Sequence, residues 1–159
     1  MQKSNYSVER VTKDNYHMYY DMVSWRMKGV ELTKEEKEIT KKFQHFDICK
    51  ELEHSGFYVY AALCDGRFVG WVALIYIPKI SCQRWERGVI YVDELWIAPE
   101  YRRKGIATQL MKKVFDCQKE TDAVEVRLYV GEGNIGAEEL YKKCGLRIDS
   151  KAIYMRSNI

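Results

Sequence analysis

Three β segments in a row, followed by an abrupt change to helical spacing, constrain the fold of this chain more than any other feature. Phe57–Leu63 and Phe68–Ile77 are rich in Tyr, Val, Ala and Ile, and Cys64-Asp65-Gly66-Arg67 between them supplies an Asp-Gly hairpin turn. Pro78 closes the second segment and the polar stretch Lys79–Gly88 reads as a loop. Val89–Ile97 is a third β run, stopped at Ala98-Pro99. From Lys104 the period becomes helical: Ile106, Leu110, Val114 and Phe115 share one face, with Lys112, Lys113 and Lys119 opposite. Ala123–Val130 then reads as a strand with Val124, Val126, Leu128 and Val130 on one face. A short helix over Ile135–Cys144 follows, ended by Gly145 at C′, and Arg147–Met155 is the last strand candidate.

Ahead of this region, Tyr6–Arg10 alternates as a short strand, and Asp14 is the N-cap candidate for a helix carrying Tyr16, Tyr19, Tyr20 and Val23. Thr33 and Glu36 form a capping box that opens a second helix running towards Glu53, with Ile39, Phe43, Phe46 and Leu52 about one per turn and Gly56 ending it. No repeat, linker or composition break interrupts the 159 residues, so one domain over 1–159 is expected. The β-β-β-α-β-α-β order implies a mixed sheet with helices packed on it, an α/β (α+β) layout.

Several function classes drop out. A pI near 8.5 is below the strongly basic range of a dedicated nucleic-acid domain. The longest apolar run, Trp71–Ile77, is far short of the ~20 residues that cross a bilayer. Met1–Tyr6 has no signal-peptide character, so a cytoplasmic location is expected. Cys49, Cys64, Cys82, Cys117 and Cys144 are odd in number and contain no C-x-x-C pair, which argues for reduced, packed thiols and against a disulfide framework or a structural zinc.

Three places can carry chemistry. Arg102-Arg103-Lys104-Gly105-Ile106-Ala107 lies between a strand and a helix start, where unpaired N–H groups and the positive end of the helix dipole converge. That suits an anion such as a pyrophosphate, and a solvated basic loop is the competing reading. Gly131-Glu132-Gly133-Asn134-Ile135-Gly136 spells G-x-G-x-x-G, but too little chain follows for a second mononucleotide half, so it reads as a strand-to-helix loop. Asp93 and Glu94 are adjacent carboxylates in an otherwise apolar strand; simple alternation sends them to opposite faces. One of them, partly buried, would serve as a general base, or act as a structural acceptor.

In order, these features resemble the GNAT superfamily of acyl-CoA-dependent N-acetyltransferases. Its hallmark Arg/Gln-x-x-Gly-x-Gly/Ala is matched by Arg102-Arg103-Lys104-Gly105-Ile106-Ala107 after Leu95-Trp96-Ile97, and its second hallmark by Asn134, Ala137, Leu140, Tyr141, Gly145 and Leu146. The resemblance implies a mixed, mostly antiparallel sheet of six to seven strands, splayed at its central strands, with about four helices on its two faces. It implies acetyl-CoA as cosubstrate, without a metal. The amides from Arg102 through Arg103, Lys104, Gly105, Ile106 and Ala107 to Thr108 would hold the pyrophosphate, and Leu95, Trp96 and Ile97 would lie along the pantetheine arm. The Ile97 amide would face the thioester carbonyl, Asn134 would contact the cofactor or a water, and Tyr141 would protonate the departing thiolate. The base is Glu94 or Asp93, with Glu94 preferred for its longer reach. The implied reaction is acetyl transfer to a primary amine of a small molecule by direct attack in a ternary complex. A protein or peptide N-acetyltransferase, or a non-catalytic acyl-CoA sensor, is the alternative. No nucleic acid or membrane partner is implied, and a homodimer stays open because dimers are common in the family.

Overall fold

A computed structural model describes residues 6–42, 52, 56–79, 88–153 and 155–157. Its packing separates two compact units, Met1–Tyr129 and Val130–Ile159.

In the first unit, β1 (Tyr6–Arg10), β2 (Phe57–Cys64), β3 (Arg67–Ile77), β4 (Val89–Ile97) and β5 (Glu125–Leu128) form a sheet in sequence order. The first four are antiparallel and β5 joins β4 in parallel. The hairpin between β2 and β3 turns where expected: Asp65 and Gly66 both take positive φ, 49° and 75°, the pair of left-handed residues that a type I′ turn needs. Helices α1 (Tyr16–Lys28), α2 (Lys34–Thr40) and α3 (Ile106–Glu120) complete this unit.

Strand alternation places helices on both faces. Val59, Ala61 and Trp71 pack with Tyr16 and Met22 of α1 in one buried cluster. Tyr60, between Val59 and Ala61 and therefore on the other face, meets the Cys117 thiol of α3. The buried stripe of α3 is Ile106, Leu110, Met111, Val114 and Cys117, so Met111 and Cys117 take the inward places and Phe115 is only half-buried.

Helix starts depart from expectation in one case and agree in another. Asn15, not Asp14, precedes α1; its Oδ1 accepts from Thr12 N–H at 2.8 Å and its Nδ2 donates to Arg10 O at 3.1 Å, bracing the β1–α1 turn. At α2 the capping box is complete, with Thr33 N–H donating to Glu36 Oε2 at 2.8 Å and Glu36 N–H to Thr33 Oγ1 at 3.2 Å. Thr33→Ala is expected to cost about 1 kcal/mol, read as a lower denaturation midpoint at unchanged slope. Ile39, expected inward, is 55% exposed. Phe43, Phe46 and most of the expected path to Glu53 lie outside the described residues, as do residues 80–87 of the loop before β4.

Towards the C-terminus two strand expectations are corrected. Only Glu125–Leu128 of the expected Ala123–Val130 strand is a strand, and Val124 and Val130 are exposed, because β4 offers a parallel partner only from Val89 to Val92. Residues 147–153 and 155–157 are not strand, so the sheet has five strands among the described residues rather than six to seven. The second unit contains α4 (Ile135–Lys143), closed by Gly145 at a φ of 97°. Four helices are present among the described residues, and none is long and apolar enough to cross a membrane.

Candidate active site

The turn after β4 is built to leave amides unpaired. Ala98 N–H donates to Val69 O at 2.9 Å, ending the ladder, and Pro99–Tyr101 makes one 3-10 turn. Arg102 is extended and its Nε donates back to Ile97 O at 3.0 Å, so this arginine stitches the turn to the strand rather than standing free. Arg103 at φ 61° and Gly105 at φ 83° curl the chain into α3. The first helical bond runs from Gln109 N–H to Gly105 O at 3.2 Å, and Gly105 brings no capping side chain. The N–H groups of Ile106, Ala107 and Thr108 therefore have no intrahelical acceptor, and they sit at the positive end of the α3 dipole. Arg103 and Lys104 are exposed beside them, Lys104 Nζ lying 5.0 Å from the Tyr101 ring centroid. Ile106 itself points into the core, while Ala107 and Thr108 are half-buried.

A cavity of about 660 Å³ adjoins this turn, with Trp25, Glu31, Arg67, Tyr101, Lys104 and Ile106 in its walls. Two of its charges, Glu31 and Arg67, are paired with each other. Arg67 Nη1 binds Glu31 at 2.6 Å, Arg67 Nη2 donates to the Tyr101 hydroxyl at 2.8 Å, and Lys37 adds a second cation to Glu31 at 2.5 Å. Burial opposes ionisation of Glu31, but these two cations outweigh it and hold the carboxyl below the usual range.

The splay lies between β4 and β5. Their pairing stops at Val92 with Leu128, whereas β4 stays paired with β3 as far as Ile97 with Gly70. The edge of β4 from Asp93 to Ile97 thus faces no strand on its β5 side among the described residues. Because Ala98 bonds to β3, ladder alternation turns the N–H and C=O of Ile97 and Leu95 towards that open side. Gly70 permits the tight approach here: a Cβ on it would lie 2.5 Å from Ile97 Cδ1 and 2.9 Å from Trp96 O.

The two carboxylates do not obey simple alternation. Leu74 pairs with Val92 and Ala73 with Glu94, so Asp93 is the extra residue of a β-bulge. The bulge brings both acids to the α1 side of the sheet, which corrects the expectation of opposite faces. Glu94 forms an ion pair with Arg26 of α1, whose guanidinium also lies 5.7 Å from the Trp71 ring centroid. Asp93 is exposed and borders a second cavity of about 210 Å³, together with Tyr16, Tyr19, Leu52, Phe57 and Leu74. Burial pushes the Tyr19 phenol up to about 12, with Tyr16 and the Asp93 carboxylate adding to the effect, so it stays protonated at neutral pH. Trp96 continues this aromatic wall, its ring centroid 5.0 Å from Trp71 and 6.0 Å from Trp25.

In the second unit, Asn134 caps α4, its Oδ1 accepting from Ala137 N–H at 3.2 Å. The Gly131–Gly136 stretch is an exposed turn, with Asn134 N–H bonded to Gly131 O at 3.0 Å, in line with the loop reading. Tyr141 is half-buried, and burial, helped by Cys144, raises its phenol above the ordinary value.

Residues 16–146 match the acetyltransferase (GNAT) family. The chain belongs to the GNAT family. An uncharacterized N-acetyltransferase of Methanocaldococcus jannaschii is 28% identical to it over 88% of this chain. The match spans 60% of that protein, so the chain covers less than two thirds of the curated relatives it matches first. Among solved structures, an aminoglycoside acetyltransferase from an uncultured soil metagenomic sample, in complex with trehalose, superposes with a TM-score of 0.79 at 15% identity, covering 100% of this chain and 99% of its own. AAC(6')-Iy in complex with the bisubstrate analog CoA-S-monomethyl-acetylneamine superposes at 0.76 with 14% identity, covering 98% and 100%. At these identities the likeness establishes the GNAT fold alone.

Sequence reasoning missed the role of Arg26. It lies far from Glu94 along the chain, and no local pattern signals a pair that exists only because α1 packs on this face of the sheet. Gly70 was likewise silent, since its neighbour Ile97 comes from another strand.

Proposed function

We propose that this GNAT domain, over 1–159, is an N-acetyltransferase that uses acetyl-CoA to acetylate a primary amine of a small molecule by direct attack in a ternary complex. The observation that carries this reading is the continuity of two backbone surfaces: the edge of β4 that faces no strand among the described residues, where Ile97 O already accepts from Arg102, and the uncapped N-terminus of α3. The first suits an extended amide-bearing arm along Leu95, Trp96 and Ile97, and the second an anion held by the amides of Arg103 to Thr108; the Arg102 N–H, expected in that set, already donates to Pro99 O at 3.2 Å. AAC(6')-Iy, which shares the fold, is bound to a CoA-linked amine, in keeping with this assignment.

Acetyl-CoA, when bound, supplies the acetyl thioester. The chain's own residues then have three tasks. A protonated alkylamine has a pKa of ~10.4 and must lose a proton; the exposed Asp93 accepts it, directly or through a water. The outward N–H of Ile97 stabilises negative charge developing on the carbonyl oxygen. Tyr141, kept protonated by its raised pKa, is assigned as proton donor to the thiolate on the strength of its place in the family motif, and Asn134 as a cofactor contact on the same ground. A thiol nucleophile is not needed, and Cys117 is unsuited to be one, since burial pushes it up to about 11.

Calorimetric titration with acetyl-CoA, with NADH as control, tests the assignment. Binding of acetyl-CoA alone is expected, weakened at least tenfold in Gly105→Glu, which strains a φ of 83° and adds a carboxylate at the anion site. A melting curve of the variant verifies that it is folded. Absence of acetyl-CoA binding, or preference for NADH, overturns the proposal. Amine-dependent thiol release separates an enzyme from a sensor that binds without turnover.

A further inference from the structure

Resting on the N-acetyltransferase reading, we infer that the acceptor is a monocationic amine on a compact apolar body, of the arylalkylamine or alkylamine class, and that Arg26 determines this selectivity by neutralising Glu94. The cavity beside Asp93 is apolar and aromatic, with Tyr16, Tyr19, Phe57, Leu52 and Leu74 in its lining. Asp93 is its one charged lining residue among those described. At about 210 Å³ it exceeds the ~150 Å³ that accepts one benzene ring, and so matches a ring or short chain with an amine arm.

The bulge supplies two carboxylates on this side, which taken alone would suit a diamine or a polycation. Arg26 cancels one of them: its guanidinium is ion-paired with Glu94 and lies over the Trp71 ring. Among the described residues one carboxylate without an ion-pair partner, Asp93, remains for one ammonium, and aromatic side chains line the same cavity. A second ammonium would meet either an apolar wall or the Arg26 cation.

The test is kcat/KM by thiol release for phenethylamine, 1,6-diaminohexane and kanamycin, in the wild type and in Arg26→Met, with amine binding in saturating CoA followed by calorimetry. The wild type is expected to favour phenethylamine over both other amines at least tenfold, in rate and in binding. In Arg26→Met the freed Glu94 carboxylate raises the diamine, so the ratio of phenethylamine to diamine falls at least tenfold. Wild-type preference for diamine or kanamycin overturns the inference without any variant. So does an unchanged ratio in a variant whose circular dichroism is native. If acetyl-CoA itself does not bind, the N-acetyltransferase reading fails and this inference with it. If acetyl-CoA binds and kanamycin is preferred, the enzyme reading stands and only the inference falls.

Discussion

Asp93→Asn is expected to lower kcat about a hundredfold, roughly 2.7 kcal/mol in the barrier, while Glu94→Gln lowers it less than tenfold. Adjacent in sequence, the two acids differ in what surrounds them. Glu94 is 28% exposed and ion-paired with Arg26, and a carboxylate held by a guanidinium is stabilised in its charged form and is a weaker base. Asp93 has no ion-pair partner among the described residues and borders the smaller, apolar cavity. This reverses the preference for Glu94 that reach alone favours. The kinetic constants should divide accordingly. Glu94→Gln leaves the Arg26 cation uncompensated beside the amine, so its main effect is a higher KM for the amine. Asp93→Asn acts on kcat. If both variants keep kcat within tenfold of the wild type, no carboxylate here is the base. A large kcat loss confined to Glu94→Gln would assign the role to the paired acid instead.

Trp71→Ala is expected to destabilise the protein by about 4 kcal/mol, a large share of the ~5–15 kcal/mol typical of a domain. Trp71 is fully buried at the centre of the β3 register, opposite Trp96. Its ring meets Trp96 at 5.0 Å and Tyr19 at 5.8 Å, and supports the Arg26 guanidinium. Truncation opens a cavity that backbone-anchored neighbours cannot close. Trp71→Phe should cost much less, because a ring remains and the buried indole Nε1, which has no hydrogen-bond partner among the described residues, is removed. Urea denaturation of the two variants decides the matter; a loss below about 1.5 kcal/mol in Trp71→Ala would mean the aromatic layer collapses freely around the gap. The same variant should also weaken Glu94 pairing, since Arg26 loses the surface on which it rests.

Local pattern determined much of this protein. The limits of β4 at Val89 and Ile97 and the Asp65-Gly66 turn are set by interactions within a few residues, as is the complete capping box at Thr33. Such features are legible because their physics is short-ranged. The turn before α3 belongs with them, as a strand end, a left-handed Gly105 and a helix start in succession. What the sequence left open depends on partners far along the chain. The bulge at Asp93 exists only relative to Ala73 and Leu74 of β3, and it alone puts both acids on one face. The alternating Val124–Val130 pattern extends beyond its strand because β4 pairs with β5 only as far as Val92. That Glu94 is half of an ion pair was decided by the placement of α1, which delivers Arg26 to it. Periodicity says which side of an element is apolar; the choice of neighbour, and therefore the charge a carboxylate feels, is made only when the elements pack.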